Sequence, residues 1–180
     1  MKKDVEIINI NWEMKKFDKD IISQMHGLND YGLYQIYADH YAYGKNALVY
    51  IGLAKENTFA ARLFSKDRLD SDFIESSIEP TEVRFGYIVK SSKDEENKDH
   101  DYSMEMWDKY IEVSERLLIK THTPALNSQL NHNHWKNNFD KDYLIINWGN
   151  KGSLLPEVST FRNSYAFWNF DTPIVTTLIN

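Results

Sequence analysis

The chain is predicted to fold as an α+β protein, with a small, mainly antiparallel three-stranded sheet flanked by helices and a C-terminal β/aromatic extension. Three observations carry this. Gly32–Tyr37 (GLYQIY) and Ala47–Gly52 (ALVYIG) read as two short strands around a polar loop holding His40, Gly44 and Lys45. Val83, Phe85, Tyr87 and Val89 alternate with Arg84, Gly86, Ile88 and Lys90, the period-two pattern of a third strand. From Tyr102 to about His122 the apolar spacing turns helical, with Met104, Trp107, Ile111, Leu118 and Ile119 on one face.

The remaining elements follow in order. Val5–Ile10 is an apolar run that suits a strand or a packing arm, and residues 11–26 carry Phe17, Ile21, Ile22 and Met25 at roughly helical spacing. Asp18 is a plausible cap for a helix through Met25, and His26-Gly27 a plausible stop. After the two-strand unit, Asn57 or Thr58 can cap a helix whose buried face is Phe59, Ala60, Leu63 and Phe64, with Arg62 and Lys66 beside it. Ser91–Asp101 is a run of charges without an apolar anchor, which predicts a solvated loop. Pro124 ends the long helix, and Tyr143–Ile146 reads as another strand before a turn over 147–152. The tail concentrates Phe161, Tyr165, Phe167, Trp168 and Phe170. The resulting organisation is an N-terminal arm and helix over 1–30, a central domain over 31–128, and a C-terminal extension over 129–180.

Composition narrows the function classes. A length of 180 residues with 42% hydrophobic and 27% charged residues suffices for a real core. The absence of cysteine excludes disulfides, thiolate nucleophiles and sulfur-based zinc sites. No apolar run approaches a membrane span or a signal peptide, so a soluble, cytoplasmic protein without a membrane partner is expected. A net charge of −6 argues against non-specific polyanion binding, but leaves room for a local basic cleft.

One residue stands out chemically. Glu115 falls inside the apolar stripe of the long helix, and a carboxylate there is costly unless a cation, a metal or hydrogen bonds compensate it. The alternative is an edge position from which the carboxylate reaches water.

Gly32-Leu33-Tyr34, Tyr50-Ile51-Gly52, Arg62 ten residues further on, and the block from Glu115 through Leu118-Ile119 and Pro124 to Asn127 together form an ordered pattern. In this the chain resembles the GIY-YIG nuclease superfamily over about residues 31–128. Each tripeptide alone is a weak signal, and the ordered set is much stronger. The resemblance implies a metal-dependent endonuclease that hydrolyses DNA phosphodiester bonds, restriction- or repair-like, using one Mg2+ or Mn2+ ion. It assigns catalytic positions to Tyr34, Tyr50, Arg62, Glu115 and Asn127, with Glu115 as metal ligand and Tyr34 as the preferred base. A single carboxylate is enough protein for a hard cation that keeps its waters and shares a substrate phosphate.

A free phenol has a pKa of about 10, so such a base needs lowering by positive charge. Lys45, Lys55 and Arg62 are the candidates. Lys45, Lys55 and Lys66 are the expected phosphate contacts, and Lys66 stands one turn after Arg62, where the family often has histidine. Asn127 suits orienting a ligand or closing the site by hydrogen bonds. Tyr31, Tyr37, Tyr41 and Tyr43 are read as packing or surface residues. A zinc site from His122, His132 and His134 is a weaker possibility. The rival reading is a catalytically weakened module of the same resemblance that binds nucleic acid or protein, with a homodimer through the aromatic tail as a further option.

Overall fold

The computed structural model describes residues 5–27, 30–63, 78–89, 104–127, 139 and 141–161. Its elements are β1 (Val5–Lys16), α1 (Lys19–Ser23), β2 (Gly32–His40), β3 (Gly44–Ala54), α2 (Phe59–Leu63), β4 (Pro80–Val89), α3 (Met104–His122), β5 (Asp142–Gly149) and β6 (Glu157–Ser159).

The strands form one six-stranded sheet in the order β3-β2-β4-β1-β5-β6, curled into a half-barrel. This corrects the expected three-stranded sheet flanked by helices. The three predicted strands are present as the neighbours β3, β2 and β4, all antiparallel, but they make only half of the sheet. The other half begins at the second edge of β4. β1 pairs there in antiparallel register, Trp12 opposite Gly86, and then pairs in parallel with β5, Ile8 opposite Ile145. The sheet is therefore mixed. Ile8, Ile10 and Trp12 point inward while Asn9, Asn11 and Glu13 alternate with them, so the period of two runs through residues 11–16, where helical spacing was expected.

The hairpin is also longer than predicted. β2 and β3 continue past Tyr37 and before Ala47, leaving only residues 41–43 as the turn, with Gly44 at a φ of +88°. Register shifts between Ile36 and Tyr37, and again between Ala38 and His40, mark bulges that bend and twist this outer end.

Two cores lie on the two faces of the sheet. α3 packs Trp107, Tyr110, Ile111, Leu117, Leu118 and Ile119 against Ile8, Ile10, Trp12, Leu33 and Ile51. The other face buries Tyr34, Ile36, Val49, Val83 and Phe85 under α1 and α2, through Ile22, Phe59, Ala60 and Leu63. Asp18 caps α1 as predicted, its carboxylate accepting from the Asp20 and Ile21 amides, although the helix stops at Ser23. Thr58 caps α2 by accepting from the Ala61 amide. α3 ends at His122, and Thr123 after it adopts a φ of +45° before Pro124.

His122 joins the end of α3 to the loop between β5 and β6. Its Nδ1 bonds the Leu118 carbonyl at 2.9 Å, and Nε2 accepts from the Leu155 amide at 2.9 Å. With both ring nitrogens engaged, His122 does not serve the zinc set considered above; His132 and His134 lie outside the described residues, as do Lys66, Phe64 and the aromatic tail beyond Phe161. Burial, followed by the charge of Lys151, holds the His122 pKa below 6.5, although the bond to Leu118 works the other way. A depressed histidine pKa means that the contribution is complete above the unfolded value and is lost as pH falls through the folded one. Between pH 7 and 5 the melting temperature of the wild type should therefore drop toward that of His122→Gln; a constant gap across this range would show that folding leaves the histidine pKa unchanged.

No helix among the described residues is long and apolar enough to cross a membrane.

Candidate active site

The pairing of β2 and β3 brings the two tripeptides together. Tyr34 stands opposite Gly52, and Ile36 opposite Tyr50, so both tyrosines project from the same face of the hairpin. Their rings stack at 5.9 Å between centroids and 25° between planes. Gly52 makes this possible. A Cβ there would stand 2.5 Å from the Tyr34 hydroxyl oxygen and 2.7 Å from a ring carbon of Tyr50, so any side chain would displace one ring. Gly32 is required for another reason: at a φ of +146° its missing Cβ leaves room for the Gly86 carbonyl of β4, which would otherwise lie 2.4 Å away.

Tyr34 is only 3% exposed, whereas Tyr50, Arg62 and Glu115 are half-buried. The Tyr34 hydroxyl forms a hydrogen bond with Tyr50 and lies within electrostatic reach of both Arg62 and Glu115. Residues from β2, β3, α2 and α3 thus meet around one phenol, although most of α3 packs on the opposite face of the sheet. Glu115 does not sit in the core with its neighbours Ser114, Leu117 and Leu118, which are fully buried. It is half-buried and acts electrostatically on Tyr34.

Burial, and then Tyr50, push the Tyr34 pKa well above the ordinary phenol value; Arg62 lowers it, but Glu115 and the hydrogen bond to Tyr50 raise it further. Of the three cations expected to lower it, only Arg62 acts on it. Lys55 instead bonds Glu112, one turn before Glu115 on α3, at 2.6 Å, and that bond raises the lysine pKa. Lys45 is exposed at the turn end of the hairpin, seven residues from Gly52 or about 23 Å along an extended strand. Among the described residues, the site therefore contains one cation from the expected set, Arg62.

Asn127 is placed differently from a ligand-orienting residue. It is buried, its Oδ1 accepts from the Ile51 amide at 2.9 Å, and its Nδ2 donates to the Ile51 carbonyl at 2.8 Å. The adjacent Leu126 amide donates to Val49 at 2.9 Å. β3 is an edge strand, and the segment after α3 supplies the partners that a neighbouring strand would have given. By fixing Ile51 it fixes the direction of Tyr50 on one side and the position of Gly52 on the other. Of the two roles the sequence suggested for Asn127, orienting a ligand or closing the site by hydrogen bonds, these bonds to Ile51 are of the second kind, and their partner has no periodicity to read. Sequence reasoning missed Glu112 as the partner of Lys55, for which the only signal was a carboxylate three residues before Glu115.

Among the described residues no three histidine, aspartate or glutamate side chains cluster as a metal site. Among the described residues, Glu115 is the carboxylate that acts on Tyr34, and a single carboxylate can hold a hard divalent cation that keeps waters and shares a substrate oxygen. Compared with models of known protein families, with curated proteins and with solved structures, the chain shows no significant match to any of them.

Proposed function

We propose that the protein is a metal-dependent endonuclease of GIY-YIG type that hydrolyses DNA phosphodiester bonds. The observation that carries this reading is the meeting of Tyr34, Tyr50, Arg62 and Glu115, drawn from four elements, around one buried hydroxyl. Glu115 would hold one Mg2+ or Mn2+ ion, which supplies Lewis acidity and neutralises charge at the scissile phosphate.

The chain's own residues do the rest. Arg62 binds the phosphate and stabilises the negative charge that builds on its oxygens. Tyr50, half-buried beside Tyr34, offers a hydroxyl to a phosphate oxygen or to the attacking water. Tyr34 enters as a protonated phenol and hydrogen-bond donor. Taking a proton from water would first require added positive charge near Glu115 to lower it. Lys55 ties the segment after β3 to α3 through Glu112, three residues before Glu115.

Incubating supercoiled plasmid with the protein tests the reading. Nicking that needs Mg2+ or Mn2+, stops with chelator and is lost in Glu115→Gln is the expected result. Equal nicking by wild type and Glu115→Gln would place the activity in a contaminant.

The elevated Tyr34 pKa favours one alternative, a module that binds nucleic acid and has weakened turnover. Metal-independent binding without cleavage across both metals would select it.

A further inference from the structure

We propose that the turn end of the β2–β3 hairpin, His40 to Lys45, is a stacking platform for unpaired nucleic-acid bases; the proposal rests on the nucleic-acid reading of the site below it. Tyr41 is 97% exposed and Tyr43 64% exposed, side by side on the hairpin that carries Tyr34 and Tyr50. Both rings lie against the His40 imidazole, at 4.6 Å and 27° for Tyr41 and at 4.9 Å and 30° for Tyr43. The group is held in place. His40 Nδ1 accepts from the Ala42 and Tyr43 amides at 3.2 and 3.3 Å, and the Asp39 carboxylate accepts from the Asn46 amide at 2.9 Å.

A surface that only needed to be soluble would not keep three aromatic rings together in water. Flat π-faces beside a lysine are what sequence-tolerant binding of single strands uses: bases stack on the rings and the cation meets a phosphate. Lys45 is exposed at the start of β3, two residues beyond Tyr43 and away from the Tyr34 group where phosphate contact was expected. In a duplex the base faces are already stacked, so the platform selects unpaired segments. Six residues separate Tyr34 from His40, about 20 Å of strand. At about 3.4 Å per nucleotide of a stacked strand, the platform would meet bases roughly six nucleotides from the scissile phosphate.

Fluorescence anisotropy with labelled dT20, rU20 and a blunt 20-base-pair duplex, in chelator, tests this with the full chain. Tyr41→Ala/Tyr43→Ala should weaken binding of the unpaired oligonucleotides by about 10- to 100-fold. Tyr41→Phe/Tyr43→Phe should stay within about threefold of the wild type, duplex affinity should be unaffected by either change, and melting temperatures should coincide. Lys45→Ala should flatten the salt dependence of log K by about 0.7. The relative loss on dT20 and rU20 tells whether DNA or RNA is preferred. Unchanged affinity in the alanine variant overturns the proposal and leaves the tip to a protein partner; so do equal losses with alanine and phenylalanine, or failure of the wild type to bind either oligonucleotide. The nuclease reading fails separately, on absence of metal-dependent nicking by a protein that binds.

Discussion

Glu115→Gln is expected to lower metal-dependent phosphodiester cleavage by about 10³-fold or more, with a melting temperature within about 3 °C of the wild type. The reasoning is local. Glutamine keeps the size and the half-buried position, but it loses the charge that, under the proposed function, would hold a divalent ion whose contribution at a phosphate amounts to several kcal/mol. Arg62→Ala should cost about 10²–10³-fold, the usual effect of removing one preorganised donor from a developing oxyanion. Arg62→Lys should recover only part of this, since an ammonium lacks the planar fork that meets two phosphate oxygens. Rates measured on plasmid under saturating Mg2+ decide the matter. Similar small losses in all three variants would mean that the meeting of these side chains around Tyr34 is structural and that turnover, if present, lies elsewhere.

Asn127→Ala should be among the most destabilising single substitutions in the described part of the chain. It removes two bonds at 2.8 and 2.9 Å and strands the amide and carbonyl of Ile51, a fully buried residue of an edge strand. At about 1–3 kcal/mol for each buried group left unmet, the loss is about 2–6 kcal/mol, or a fall in melting temperature of about 4–24 °C for a chain of this length. Asn127→Asp is the sharper variant. It keeps the acceptor for the Ile51 amide and sets a second carboxylate oxygen against the Ile51 carbonyl, so near pH 7 it should be no more stable than alanine. On acidification the protonated side chain can donate to that carbonyl, and stability relative to the wild type should recover between pH 7 and 4. Thermal melts across this range check the sign. A loss below about 1 kcal/mol in either variant would show that solvent takes over the clamp. Both variants should also lose activity at temperatures where they remain folded, because Tyr50 and Gly52 flank the residue that Asn127 holds.

The residues around Tyr34 stood out in the sequence because their chemistry conflicts with their surroundings. A glutamate on an apolar stripe, glycines facing tyrosines, and an arginine at the border of a buried helix face each ask for an explanation that packing does not give. The order of these residues along the chain then marked them as a set. Lys45 and Lys55 were not legible in the same way. Whether a cation serves a phosphate depends on what else it meets, and Lys55 meets Glu112 on a helix far along the chain, while the extension of β2 and β3 carries Lys45 to the other end of the hairpin. Tyr41 and Tyr43 were read as packing or surface; only the placement of His40 between them turns two ordinary tyrosines into one ordered group.

What the sequence alone determined was local: the hairpin, the β4 strand, the Asp18 and Thr58 caps, the stop at Pro124 and the polar residues that need a reason. These follow from periodicity, backbone preference and the cost of burying charge, all of which act within a few residues. The sheet was decided by tertiary structure. β1 reaches its place by pairing in parallel with β5, more than a hundred residues away, and no short-range pattern specifies which strand edge meets which. The same holds for Asn127, whose amide is chosen by an open strand edge that exists only once the sheet has formed.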